Sequence, residues 1–166
     1  LVSNILKNST HCYIMTNHIN LYMFLDTIYK TDLKFIKSLI WDKRNKIMGR
    51  FYMSQFEYIL FIRKGEAKKI NNCGTSDILS ISNKKTKNVD MTNIHDTEKP
   101  INLMEILIKN SSNFTEVVLD PFIGSGTTAI ACEKLNRKWI GIEIDKKYCE
   151  ITKQRILNYN KQLKFI

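Results

Sequence analysis

The sequence predicts an α/β protein with a Rossmann-like core, and three observations carry that prediction. The apolar run Val117-Val118-Leu119 ends in Asp120-Pro121-Phe122-Ile123-Gly124-Ser125-Gly126-Thr127-Thr128, which turns on two glycines and opens a helix. A second β-rich run, Arg137 to Asp145, follows at the interval of one strand–helix–strand unit and ends in the acids Glu143 and Asp145. Elsewhere, strand-like runs and helical apolar stripes are interspersed along the chain, the pattern of layered α/β folds.

Taken in order, His11 to Thr16 reads as a strand, and Ile19 to Tyr29 as a helix with Leu21, Phe24, Leu25 and Ile28 on its buried face. Phe35 to Trp41 and Phe56 to Ile62 are further strands, with Trp41 assigned to the core. Between them, Asp42 to Arg50 is basic and carries a glycine, which predicts a long loop or a hairpin. Gly65 to Asp96 is polar, with Ile70, Ile78, Leu79, Ile81 and Val89 as scattered anchors, and reads as a loop or small subdomain or, equally, a solvated linker. Lys99-Pro100 opens a helix with Leu103, Met104, Leu107 and Ile108 as its stripe, since proline's absent N–H is no loss in a first turn. Val117 to Leu119 is expected to be a short buried strand, Thr127 to Leu135 a helix and Leu135 to Arg137 a turn. Asp145 is expected to cap a closing basic helix from Lys146 to about Leu163.

The 166 residues suffice for one domain with a sizeable core. Apolar runs fall short of the roughly 18–20 residues a spanning helix needs, and the start lacks a basic-then-apolar signal pattern, so no membrane partner is expected and the default address is cytoplasmic. Cys12, Cys73, Cys132 and Cys149 lack metal-ligand spacing and read as free thiols, with no metal expected. A net charge of +10 and a pI near 9.4 suit a polyanionic partner. The heavy use of Lys, Asn and Ile also follows from AT-rich coding, so charge adds only support.

The glycine turn is the candidate site. Gly124 and Gly126 let the backbone approach a ligand closely, Ser125 and Thr127 add hydroxyls, and the first turn of the following helix has N–H groups without intrahelical acceptors. Glu143 stands where an acid at the tip of the second strand accepts hydrogen bonds from ribose hydroxyls.

Glu98-Lys99-Pro100, the Asp120 to Thr128 string, Gly141-Ile142-Glu143-Ile144-Asp145 and Tyr148, in that order, resemble the C-terminal half of a permuted amino-group DNA methyltransferase of the N6-adenine/N4-cytosine family. Ile40 to Asn45 and Phe56 to Gly65 match segments that such enzymes carry between the catalytic and cofactor motifs. The resemblance implies a Rossmann-like S-adenosylmethionine-dependent methyltransferase fold in permuted order. It divides a single domain into a partial catalytic subdomain (1–64), a short target-recognition-like region (65–96) and a cofactor subdomain (97–166). It assigns S-adenosylmethionine as cofactor, held by Lys99, Asp120, Pro121, Phe122, Gly124, Ser125, Gly126, Thr127, Glu143 and Ile144. Phe122 and Ile144 would wall the adenine, with Ile123 and Ile142 in the core. Double-stranded DNA would be the partner, its phosphates met by Lys43, Arg44, Lys84, Lys85 and Lys87. A homodimer, a restriction partner or a complementing chain is compatible with such an enzyme.

One departure matters. The family's Asp/Asn/Ser-Pro-Pro-aromatic tetrapeptide is not found, proline standing only at 100 and 121, so the catalytic residues are unassigned. The expectation is an enzyme portion without its front, or a remnant or subunit that binds cofactor or DNA without turnover. A nicotinamide oxidoreductase is the third reading, weakened by Ala129 where a third glycine belongs and by Asp-Pro-Phe before the turn. Under the resemblance, the strand carrying the tetrapeptide would lie between the His11 and Val117 strands. The sheet would then be incomplete, closed by direct pairing of those two strands, filled by a partner's strand, or left with a solvated seam.

Overall fold

The computed structural model describes residues 2–66, 68–83 and 98–163, in two compact units, Leu1–Ser82 and Asn83–Ile166. Lys84, Lys85 and Lys87 lie outside the described residues.

The first unit runs α1 (Val2–Ile5), β1 (Thr10–Thr16), α2 (Leu21–Tyr29), β2 (Leu33–Ile47), β3 (Ser54–Lys64) and β4 (Ile78–Ser80). Its sheet has the order β1-β3-β2-β4, with β3 antiparallel to β1 and β2, and β4 parallel to β2. Ile59, Leu60 and Ile62 of β3 are 0% exposed, because a central strand is covered on both faces. Ile28 of α2 is buried with Leu33, Leu60 and Ile62, and Leu21, Phe24 and Leu25 pack against them, as the helical stripe predicts. Each such side chain taken from water contributes about 1.5–3 kcal/mol. The helix starts at Leu21 rather than Ile19 because the Asn17 Oδ1 accepts the N–H groups of Ile19 (3.1 Å) and Asn20 (3.2 Å), holding a turn there.

Two features extend the expected pattern. Strand β2 continues past Trp41 to Ile47, and its pairing with β3 slips between Asp42 and Ile47, so the basic segment is a bulged hairpin arm. The polar stretch from Gly65 holds β4, which takes the edge of β2: Ile40 N–H donates to Asp77 O (2.8 Å) and Ile81 N–H to Asp42 O (3.0 Å). Trp41 is 1% exposed and its indole N–H donates to Ile81 O at 2.8 Å, so it is core.

The second unit runs α3 (Ile101–Ser111), β5 (Val117–Asp120), α4 (Thr127–Lys134), β6 (Lys138–Gly141) and α5 (Lys146–Leu163). Pro100 stands at the N-cap of α3, and Leu103, Leu107 and Ile108 are buried. Strands β5 and β6 are parallel, with α4 as their crossover, and Asp120 lies opposite Gly141. Ile108, Ala131 and Cys132 form the core, with Met104, Val118, Leu135 and Trp139 against them.

Two expectations need correction here. The β5 strand is covered on one face only: Val118 packs inward while Val117 and Leu119 stay exposed, as strand periodicity requires when a single layer covers a sheet. Ile142 is exposed rather than core, since it lies past the end of β6.

Candidate functional site

Because β5 and β6 are parallel and in register, their C-terminal ends bring residues 121–126 and 142–145 to the same place. The Ile142 N–H donates to Asp120 O and the Ile123 N–H to Ile142 O, both at 3.0 Å, so the ladder continues into the two loops. Gly124 (φ 54°) and Gly126 (φ 84°) hold left-handed backbone, which reverses the chain before α4. A Cβ on Gly126 would stand 2.7 Å from Thr152 Cγ2, so that position is closed to larger residues for space as well as for dihedral angle.

Two carboxylates organise the turn. Asp120 Oδ1 accepts the Phe122 N–H at 3.0 Å, and its Oδ2 accepts the Thr128 hydroxyl at 2.5 Å. Glu143 reaches back to it: Oε2 accepts the Gly124 N–H at 3.0 Å, while Oε1 accepts the N–H groups of Ile144 (2.8 Å) and Asp145 (2.9 Å). Those donors, the Asp145 N–H foremost, hold the Glu143 carboxyl below the usual carboxylate range. Three backbone donors leave about one of its four lone-pair directions for a ligand. Asp145 caps α5, its Oδ1 accepting the Lys147 N–H at 2.8 Å.

From beneath, α5 pins the turn. Thr152 donates its hydroxyl to Gly124 O at 2.8 Å. Arg155 donates to Ser125 O (2.6 Å) and Ser125 Oγ (3.0 Å), and pairs with Glu98 at 2.8 Å, where the two side chains are 14% and 3% exposed. This buried pair ties the residues just before α3 to the glycine turn.

The structure therefore gathers Asp120, Pro121, Phe122, Gly124, Ser125, Gly126, Thr127, Glu143 and Ile144 at one end of the two strands. Phe122 (87%) and Ile144 (98%) are fully presented to solvent, which core packing does not explain. Ser125 is buried and its hydroxyl accepts from Arg155, which ties it into the turn. Thr127 is buried too. Lys99 is half-buried, next to the ion-paired Glu98. In the first unit, Lys43 was expected on a DNA phosphate. It is buried, pairs with Glu57 at 2.7 Å and sits 5.4 Å over the Trp41 ring, so its charge is neutralised within the fold. Arg44 stays exposed beside Asp42 at 3.9 Å. Thr128, Thr152 and Arg155 were absent from the expected site. The i, i+3 spacing of Thr152 and Arg155 puts both on one helix face, and that is the one sequence signal that pointed to them.

Comparison with known proteins places the chain among DNA methylases. A family model described as DNA methylase, of the N6/N4 methyltransferase type, matches residues 1–154. The type II methyltransferase M2.DpnII of Streptococcus pneumoniae is 29% identical over 94% of this chain and 63% of its own length. The chain spans about three-fifths of the length of this and similar curated relatives. A crystal structure of an M1.HpyAVI–SAM complex superposes with a TM-score of 0.78 at 28% identity, covering 93% of this chain and 78% of that one. The cytosine-N4-specific PvuII DNA methyltransferase superposes at 0.80 over 96% of this chain and 72% of its own. At 18% identity that likeness is one of fold.

Proposed function

The chain belongs to the N6/N4 DNA methylase family and has its α/β methyltransferase fold, and on that premise we propose that it carries the S-adenosylmethionine site of an amino-group DNA methyltransferase. Its two units form one methyltransferase domain in this reading. The observation that carries it is the convergence of Asp120, the Gly124–Gly126 turn and Glu143 beside the solvent-presented Phe122 and Ile144. A nicotinamide-dependent role is set aside by the family match.

The residues fit such a cofactor. The remaining acceptor direction of Glu143 suits ribose hydroxyls, the glycine turn lets the methionine portion lie against backbone, and the Asp120 carboxylate favours a cationic ammonium nearby. Lys99, next to the ion-paired Glu98, would face the methionine carboxylate. Phe122 and Ile144 supply flat apolar surface for the adenine. S-adenosylmethionine, when bound, supplies an electrophilic sulfonium methyl. The substrate would be an exocyclic amine, adenine N6 or cytosine N4, of a base turned out of duplex DNA. With the cofactor bound, the chemistry supplied would be transfer of its methyl to that nitrogen, which would lose one proton. No described residue is assigned to accept that proton.

A second reading keeps the binding and drops turnover by these residues alone. It is favoured by the prolines, which stand only at 100 and 121, so no Pro-Pro tetrapeptide lies among the 166 residues. Calorimetric titration with S-adenosylmethionine and S-adenosylhomocysteine tests the site that both readings share. Glu143→Ala should weaken binding by about 1.5–3 kcal/mol, the worth of hydrogen bonds to a charged acceptor. Affinity equal to the parent chain's would remove Glu143 from the site.

A further inference from the structure

Strands β2 and β3 end their pairing at Ile47 opposite Ser54, and the residues between form a tip. There Met48 is 91%, Phe51 88%, Tyr52 93% and Met53 55% exposed. Single exposed apolar residues are ordinary, but four within six positions form a patch that folding alone disfavours. The base of the tip is fixed. The Asp42 carboxylate accepts from Gln55 Nε2 (2.9 Å), the Arg44 N–H (2.9 Å) and the Ser80 hydroxyl (3.2 Å), while Lys43 and Glu57 pair beside buried Trp41. Arg44 takes left-handed backbone (φ 56°) in the bulge, and a Cβ on Gly49 would meet Tyr52 O at 2.1 Å, so the tip is a shaped turn.

Its charge identifies the occupant. From Lys43 to Gln55 there is no acid, and with Lys43 paired to Glu57 the exposed cations are Arg44, Lys46 and Arg50. The Arg50 guanidinium lies 5.9 Å from the Phe51 ring centre, so cation and aromatic face are offered together. A second copy of this tip would bring like charges together. Phosphates flanking an opened base step match both features: cations take the backbone, and rings take base faces.

We propose that this hairpin tip is a DNA wedge, with Lys46 and Arg50 on phosphates and Phe51 or Tyr52 stacking on bases exposed where the duplex is opened. The inference rests on the DNA-methyltransferase reading and adds a contact surface remote in sequence from the Asp120 turn.

The test uses the full 166-residue chain and fluorescence anisotropy with two duplexes, one fully paired and one containing an abasic site. Phe51→Ala/Tyr52→Ala removes only exposed rings. It should weaken binding to the abasic duplex by about five- to a hundredfold, weaken the paired duplex less, and leave the salt slope unchanged. Lys46→Ala/Arg50→Ala should weaken both duplexes alike and reduce the slope by about two. An aromatic variant that binds the abasic duplex as the parent does overturns the wedge while leaving DNA binding intact. A parent chain that binds neither duplex at low salt overturns the DNA reading along with it. Two further results also refute the proposal: ring-dependent binding to phosphatidylglycerol vesicles with DNA binding unaltered, or ring-dependent dimerisation in sedimentation with DNA binding unaltered.

Discussion

Replacing Arg155 by methionine tests whether the buried pair beneath the glycine turn holds the site together. The substitution keeps length and apolar volume but removes the guanidinium from Glu98, whose side chain is 3% exposed, and from the carbonyl and hydroxyl of Ser125. A buried carboxylate stripped of its cation costs about 3–5 kcal/mol, far more than an exposed ion pair is worth. The two Ser125 bonds lie within that figure, because neighbouring losses do not add. In urea, with a slope of roughly 2 kcal/mol per molar, the unfolding midpoint should fall by about 2 M. The double variant Glu98→Met/Arg155→Met should recover much of the loss, since two apolar side chains leave no buried charge. Arg155→Met within about 1 kcal/mol of the parent chain, or a double variant no better than the single, would refute the reasoning.

Gly126→Ala should destabilise by about 1–2 kcal/mol from the left-handed backbone alone, with a further steric share from the 2.7 Å approach to Thr152. Thr152→Ala in the same chain should relieve only that steric share, as read by thermal unfolding. The Glu143 carboxyl is held below the usual range by the backbone donors of the turn, so its contribution is complete above the ordinary carboxylate range. That contribution is lost as pH falls through the lower folded value. The Gly124 amide resonance, bonded to Glu143 Oε2, should report the transition, and a Gly124 shift that titrates at or above the ordinary range contradicts the assignment.

Much of the fold was legible because it rests on short-range pattern. The α2 stripe and the α3 stripe after Pro100 follow from helical periodicity, and the β5–α4–β6 unit follows from an apolar run, a glycine turn and a second run at fixed interval. The Asp145 cap is likewise local chemistry. Strand β4 left no such trace, since three residues carry no period and its pairing is with Ile40–Asp42, far back in the chain. The extension of β2 through Lys43–Ile47 was hidden by its charges, which a bulged arm of a hairpin tolerates.

The sequence by itself determined that the glycine turn and the acid at the next strand tip would meet, because both are constraints on backbone shape, and backbone shape is written locally. Only the tertiary structure decided where each side chain is spent. Lys43 and Lys46 stand three apart in one basic run, yet the first is buried on Glu57 and the second is exposed. Ser125 belongs to the turn's motif, yet its hydroxyl answers to Arg155, thirty residues on. Desolvation and pairing depend on which distant residues the fold brings close, and no local pattern carries that information.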